Sequence, residues 1–175
     1  MKRVAQFFKV SLGNFERAVR EEFPQYSEAD VREIYEKLPL PRRATKVIEG
    51  YDFFAPFTFT LHPGETIKIP TGIRAKMDEN WVLTLYPRSG LGFKYRLQMN
   101  NTVGIIDSDY FDSDNEGHIF IKMTNATNEG KTLEVPQGTG FAQGIFLEYG
   151  ITVDDEVSDV RNGGLGSTTG QKEGD

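Results

Sequence analysis

The sequence predicts a mainly β protein carrying a short helical extension at its N-terminus. Three observations predict it. From Ala44 onward, short β-branched and aromatic runs are broken by Gly, Pro, Asn and Asp, which is strand and turn chemistry. Before that point, apolar residues recur at helical spacing. The chain has 175 residues, 38% of them hydrophobic, enough for one domain with a real core plus an extension.

In the extension, Phe15, Val19 and Phe23 recur at i, i+4, i+8, and Val31, Ile34, Tyr35 and Leu38 at i, i+3, i+4, i+7. The first forty or so residues therefore read as helical, with two amphipathic helices separated at Pro24. Ser27 with Asp30 three residues on is a start signal for the second, and Pro39 with Pro41 stops it. A helical hairpin packed on the main domain is expected, with a partner-binding module as the alternative. The strand runs that follow are Thr66 to Ile69, Trp81 to Tyr86, His118 to Met123, Thr132 to Val135 and Phe141 to Val153. Their spacing fits a sandwich, barrel or jelly roll without choosing among them. Asn162 to Asp175 is rich in Gly, Ser and Thr, cannot hold a core position, and is expected to be mobile without a ligand. The expected division is a helical extension at 1–43, a β domain at 44–160 and a flexible glycine-rich arm at 161–175.

Charge and composition exclude several functions. No cysteine is present, which removes disulfides, thiolate zinc sites and cysteine nucleophiles. A formal net charge of -6 disfavours sequence-independent nucleic-acid binding, which rests on neutralising many phosphates. A small anion remains possible, given a local arginine, backbone N–H groups and a divalent cation. No segment is apolar enough to span a bilayer, and Met1 to Val10 carries Lys2, Arg3 and Lys9 without a long apolar run, so a soluble cytoplasmic protein is expected. Asp112, Asp114, Glu116 and Gly117 imitate a calcium loop, but its twelfth position is Met123 instead of a glutamate. The tail Gly163 to Thr168 lacks the lysine of a Walker loop. His62 and His118 are too few for a multi-histidine metal site.

Three segments are unusual for mere packing: Pro87 to Gly92 (PRSGLG), Gly104 to Tyr110 (GIIDSDY), and the glycine tail preceded by Arg161. They resemble motifs two, three and five of the trimeric dUTPases. Gly50 to Phe53 (GYDF) and Phe141 to Gln143 (FAQ) resemble motifs one and four. All five stand in family order, and the similarity covers Ala44 to Gly170. A single motif would be weak, whereas five in register are specific.

The resemblance implies a dUTPase-like jelly-roll or β-barrel domain that hydrolyses dUTP to dUMP and pyrophosphate as a homotrimer, with no membrane or nucleic-acid partner. Arg88, Ser89 and Gly90 would take the phosphates, since a guanidinium, a hydroxyl and an unhindered N–H suit them. Asn101, Gly104, Ile105 and Ile106 would lie in a hairpin, Asn101 to Asp107, that reads the uracil edge. Asp107 would be the general base that activates the attacking water, and Asp109 would support the turn. Tyr110 would pack on the deoxyribose, or else be a core tyrosine. Gln143 would touch the phosphates, while Arg161, Leu165, Gly166 and Ser167 would close over the nucleotide from a neighbouring subunit. Mg²⁺ would sit mainly on the phosphates, with Asp52 reaching it through water.

The match departs from the family pattern at four places: Leu165 replaces an aromatic, Arg161 stands one residue nearer to it than usual, Gly140 replaces a common arginine, and Phe111 to Asn115 looks inserted. A dCTP deaminase shares the fold but needs a glutamate where Lys122 stands, three residues before Asn125. A nucleotide-binding regulator acting through the N-terminal helices is the rival of another class.

Overall fold

Strand pairing explains the layout better than strand propensity, because every ladder is antiparallel and most strands bury alternate residues. The computed structural model describes residues 2–46 and 50–158. In chain order these form β1 (Ala5–Lys9), α1 (Leu12–Glu22), α2 (Glu28–Lys37), β2 (Tyr51–Phe54), β3 (Phe59–Leu61), β4 (Thr66–Pro70), β5 (Ile73–Met77) and β6 (Trp81–Pro87). There follow α3 (Ser89–Tyr95), β7 (Leu97–Met99), β8 (Gly104–Ile106), a turn of 3-10 helix at Ser108–Asp112, β9 (Phe120–Asn125), β10 (Leu133–Val135) and β11 (Gly140–Glu148). The largest sheet runs β2-β11-β6-β8, a second runs β4-β9-β7, and β1-β5 and β3-β10 are two-stranded. In β3, β7, β8 and β10 the two outer residues are buried and the middle one exposed, the period-two pattern of a sheet with one face on a core. That core contains Phe53, Leu83, Leu85, Ile106, Ile121 and Phe141.

The two expected helices form where the periodicity puts them. Ser27 and Asp30 close a full capping box: the Asp30 N–H donates to Ser27 Oγ at 3.2 Å, and the Ser27 N–H donates to Asp30 Oδ2 at 2.8 Å. The apolar faces of both helices are spent inside the molecule. Val10, Phe15, Val19, Val31 and Ile34 make a second core with Phe57 of the β domain, and Phe23 packs edge-on to Phe57 at 4.6 Å between centroids. The packed hairpin, not a free helical face, is what the chain forms.

Three expectations are corrected. Ala5–Lys9 is a strand paired with β5, from Ala5 opposite Met77 to Lys9 opposite Ile73. Five residues carrying Phe7 and Phe8 side by side show no period of two, so the pairing partner decides. The run expected to end at Val153 stops at Glu148, which lies opposite Trp81, the first residue of β6. The run expected from His118 begins at Phe120, because the backbone of Ile119 is engaged with Thr71 and Ile73 and the His118 ring serves a different purpose.

His118 is fully buried where the extension crosses the β domain. Its Nε2 accepts from the Gly72 N–H at 2.9 Å, so the proton sits on Nδ1 and donates to Asn14 Oδ1 at 2.9 Å. Gly72 has φ +72, and a Cβ there would stand 2.5 Å from a Leu38 methyl, so only glycine fits the crossing. Burial pushes the His118 imidazole down to about 4 from its usual 6.5, against a smaller upward pull from Glu116. The folded state therefore prefers the neutral ring. An unfolded chain takes up a proton at 6.5 that the folded one refuses until about 4, so stability falls as pH drops through that window and then levels off. We expect a loss of roughly 3 kcal/mol across it. Urea unfolding at fixed protein concentration from pH 7.5 to pH 4 checks this, and His118→Gln should lose most of the slope. Glu116 acts lower: two bonds from Ser11 hold its carboxyl below the usual 4.5, so its contribution is lost only as pH falls through that lowered value.

Candidate active site

At the end of β6 the chain passes through Pro87 into Arg88, the residue before α3. Arg88 is fixed from its backbone, its N–H donating to the Phe141 carbonyl of β11 at 3.2 Å. Its guanidinium turns towards β2, where Arg88 Nε lies 3.4 Å from Asp52 Oδ1. The aspartate side chain is 17% exposed and the arginine 45%, so the pair is partly desolvated with one side open to a ligand. Gln143 lies opposite Asp52 across β11 and β2, and opposite Tyr86 across β11 and β6. Asp52, Arg88 and Gln143, far apart in sequence, thus share one end of the largest sheet.

Two glycines make room for them. A Cβ on Gly140 would stand 3.0 Å from Arg88 Nη1 and 3.4 Å from Asp52 Cγ. The space left by the arginine common at that position is filled by Arg88 itself. A Cβ on Gly50 would stand 2.8 Å from Gln143 Oε1, so Gly50 allows the amide to lie across the sheet end. Ser89 and Gly90 are exposed and open α3. The first backbone bonds of that helix run from Leu91 and Gly92 to the Arg88 carbonyl, leaving the N–H groups of Ser89 and Gly90 ahead of the ladder, as at any helix start. A groove of about 630 Å³ adjoins Arg88 and Ser89, with Lys94 and Arg96 on its wall and Glu129 also lining it. Phe93 stands beside it almost fully exposed.

Asp107 lies elsewhere. It directly follows β8, whose Ile106 pairs with Leu83 and Gly104 with Leu85 of β6. The strands are antiparallel, so Asp107 continues towards the start of β6 while Arg88 follows its end. Six positions at about 3.3 Å each separate the two by about 20 Å within one chain. Asp107 is exposed.

The segment before Asp107 is not the paired hairpin expected. β7 belongs to the β4-β9-β7 sheet and β8 to the other, so the Asn101 turn bridges two sheets. The turn is tight, with the Thr102 N–H donating to Met99 O at 3.0 Å, the Val103 N–H to Asn101 O at 2.7 Å, and Thr102 at φ 67. β8 is an edge strand, and among the described residues no further strand pairs its outer side. Ile105 is 57% exposed, whereas the Ile106 side chain is in the core and Gly104 is packed so closely that a Cβ would stand 2.9 Å from Leu85 Cβ.

Tyr110 lies in the core. It is 1% exposed, its hydroxyl donates to the His118 carbonyl at 2.6 Å and accepts from Asn115 Nδ2 at 2.8 Å, and its ring belongs to the main core. These surroundings are those of the core tyrosine weighed as its alternative. Arg161, Leu165, Gly166 and Ser167 lie outside the described residues. Among those described, no three His, Asp or Glu side chains gather into a metal site, and no helix is long and apolar enough to cross a membrane.

A mainly β domain that gathers a guanidinium, a carboxylate and an amide beside a groove walled by Lys94 and Arg96 has the chemistry to bind an anion. The family model described as dUTPase matches residues 36–169. The deoxyuridine 5'-triphosphate nucleotidohydrolase of Lactococcus lactis is 41% identical over 132 residues, covering 74% of this chain and 87% of that protein. The Haemophilus influenzae enzyme of the same name is 37% identical over 138 residues, with the same coverage. The chain belongs to the dUTPase family. Among solved structures, the dUTPase of Streptococcus mutans superposes with a TM-score of 0.57 at 36% identity, covering 65% of this chain and 88% of that one. The dUTPase from phage phi11 of S. aureus, whose description names a structural Mg(II) ion, covers 90% of this chain and 98% of its own at a TM-score of 0.60; at 20% identity it shares the fold.

Proposed function

We propose that the hydrolysis of dUTP to dUMP and pyrophosphate runs through a water deprotonated by Asp107, at sites built where the chains of a homotrimer meet. One observation carries the reading. Asp52, Arg88 and Gln143 converge at one end of β6, while Asp107 lies about 20 Å away at the other. A base within about 3.5 Å of the innermost phosphate and a guanidinium on the same phosphate chain cannot come from one subunit across that gap. Two subunits can supply them.

In each site, Asp107 orients the water and takes its proton as the oxygen attacks the α-phosphorus in line, with pyrophosphate departing opposite. Arg88 of the facing chain, with the N–H groups of Ser89 and Gly90 and the Gln143 amide, binds the phosphates and offsets charge building on their oxygens. A divalent cation is the cofactor, and we take it to be Mg²⁺. Asp52 is one carboxylate already matched to Arg88, a donor set suited to a hydrated ion carried by the phosphates, and the ion would neutralise phosphate charge there. The arm with Arg161, Leu165, Gly166 and Ser167 closes over the nucleotide and excludes water. We keep the division at residues 43/44 and 160/161, with the enzyme acting on the cytoplasmic nucleotide pool.

The open edge of β8 and the Asn101 amide read the base. Cytosine inverts a donor and acceptor relation and would leave buried polar groups unpaired, a stronger rejection than an apolar pocket achieves against one missing methylene, about 1–3 kcal/mol. Lys122, exposed on β9, cannot shuttle protons as a deaminase carboxylate must, and deamination is not favoured. Pyrophosphate release measured on dUTP, dCTP, dTTP and UTP with Mg²⁺ tests the reading. We expect dUTP to be turned over far faster than the rest, and equal rates on all four would end it.

A further inference from the structure

The chain just after Asp107 is held by the extreme N-terminal part of the molecule. Upstream, Asp107 is anchored by the pairing of β8 with β6. Downstream, the Tyr110 N–H donates to the Asp107 carbonyl at 3.2 Å, and the Tyr110 hydroxyl and carbonyl are gripped by the inserted loop that follows. Asn115 Nδ2 donates to Tyr110 Oη at 2.8 Å, and the single proton of Ser113 Oγ is shared between Tyr110 O at 2.7 Å and Asn115 Oδ1 at 2.8 Å. Gly117, at φ +67, passes so close to Phe111 that a Cβ would stand 2.7 Å from its Cα.

This loop is fastened to the start of α1 by two clamps. Asn14 donates through Nδ2 to the Asn115 carbonyl at 3.0 Å and accepts at Oδ1 from His118, gripping the loop at two points with one amide. Glu116 accepts from the Ser11 N–H at 2.8 Å and the Ser11 hydroxyl at 2.6 Å, placing a carboxylate at a helix N-terminus, where it is favoured. The ring of Phe111 is held between Phe8 of β1, at 5.7 Å, and the Arg74 guanidinium, at 3.6 Å, and Arg74 Nη2 donates to the Phe111 carbonyl at 2.6 Å.

We propose that the Ser11–Asn14 corner braces Asp107, with Asn14 the positioning residue that acts through Asn115, His118 and Tyr110. The proposal rests on the reading of Asp107 as the general base. Asn14 touches neither the edge of β8 nor the Asp52, Arg88 and Gln143 cluster, so its loss should leave substrate affinity in place. It should let the carboxylate drift, and a misplacement of about 1 Å can cost up to about a hundredfold in rate.

The test is steady-state hydrolysis of dUTP by the full chain. Asn14→Ala should lower kcat by roughly tenfold or more with KM changed less than about twofold. Val31→Ala, in the helix-pair core, should lower Tm and leave kcat at 25 °C unchanged. In an Asp107→Asn background, Asn14→Ala should take nothing further from the residual rate, whereas a merely structural effect would subtract its factor again. Wild-type kcat in Asn14→Ala, or full additivity in the double variant, would overturn the brace. If Asn14→Ala does not fold, Glu116→Gln decides: it weakens the Ser11 clamp while keeping its shape, and should lower kcat severalfold, an unchanged kcat counting against the proposal. A wild-type chain that leaves dUTP intact would instead sink the underlying reading of Asp107.

Discussion

Asp107→Asn should abolish nearly all turnover of dUTP and leave nucleotide binding close to that of the parent chain. Asparagine keeps the size of the side chain and can still hydrogen-bond a water, but it cannot take the proton that the attacking oxygen must lose. General-base catalysis contributes about 10²–10⁴-fold, and phosphoryl transfer leaves the protein little other chemistry to fall back on. Asp107 is exposed and follows a strand held by its pairing with β6, so the substitution should not disturb the fold. Pyrophosphate release at saturating dUTP, with affinity for a non-hydrolysable analogue measured by calorimetry, separates the two effects. A variant retaining more than about a tenth of the parent rate would remove Asp107 from the base role.

The second large effect comes from mixing two dead chains. Arg88→Ala removes the phosphate anchor and Asp107→Asn the base, and each homotrimer alone should be nearly inactive. If every site takes these two residues from different chains, heterotrimers refolded from an equal mixture contain sites with both residues intact. Random assortment gives roughly a quarter of the parent activity, the share of sites drawing both from unaltered positions. A site contained within one chain would give no recovery at all. The separation across β6 makes the prediction sharp, since the β6–β8 register leaves no slack for Asp107 to reach Arg88 of its own chain.

Helices and most strands were legible from the residues because their signals are local. Phe15 and Val19 repeat at helical spacing, Ser27 and Asp30 announce a start, and the alternation in β9 marks its buried side. The motifs named Asp52, Arg88 and Gln143 in family order, but not that a bulge in β11 beside Gly140 and the packing of Arg88 across that glycine bring them together. The distance between Asp107 and Arg88 was not legible either, because the register of β8 on β6 is a non-local choice. Least visible was the Asn14, Asn115 and His118 network. Its members bond across 101 and 104 residues, and single polar residues carry no period. β1 escaped notice for the same reason, its identity lying in its partner.

That first strand has a consequence for anyone who would trim the molecule to its catalytic minimum. A β-strand with an uncovered rim exposes a row of unused amide and carbonyl groups and invites other chains to stick to it. Residues Ala5 to Lys9 cover the rim of β5 along its whole length. Cutting that leading peptide away would bare this rim of β5 and make the molecule prone to adhere to its own kind.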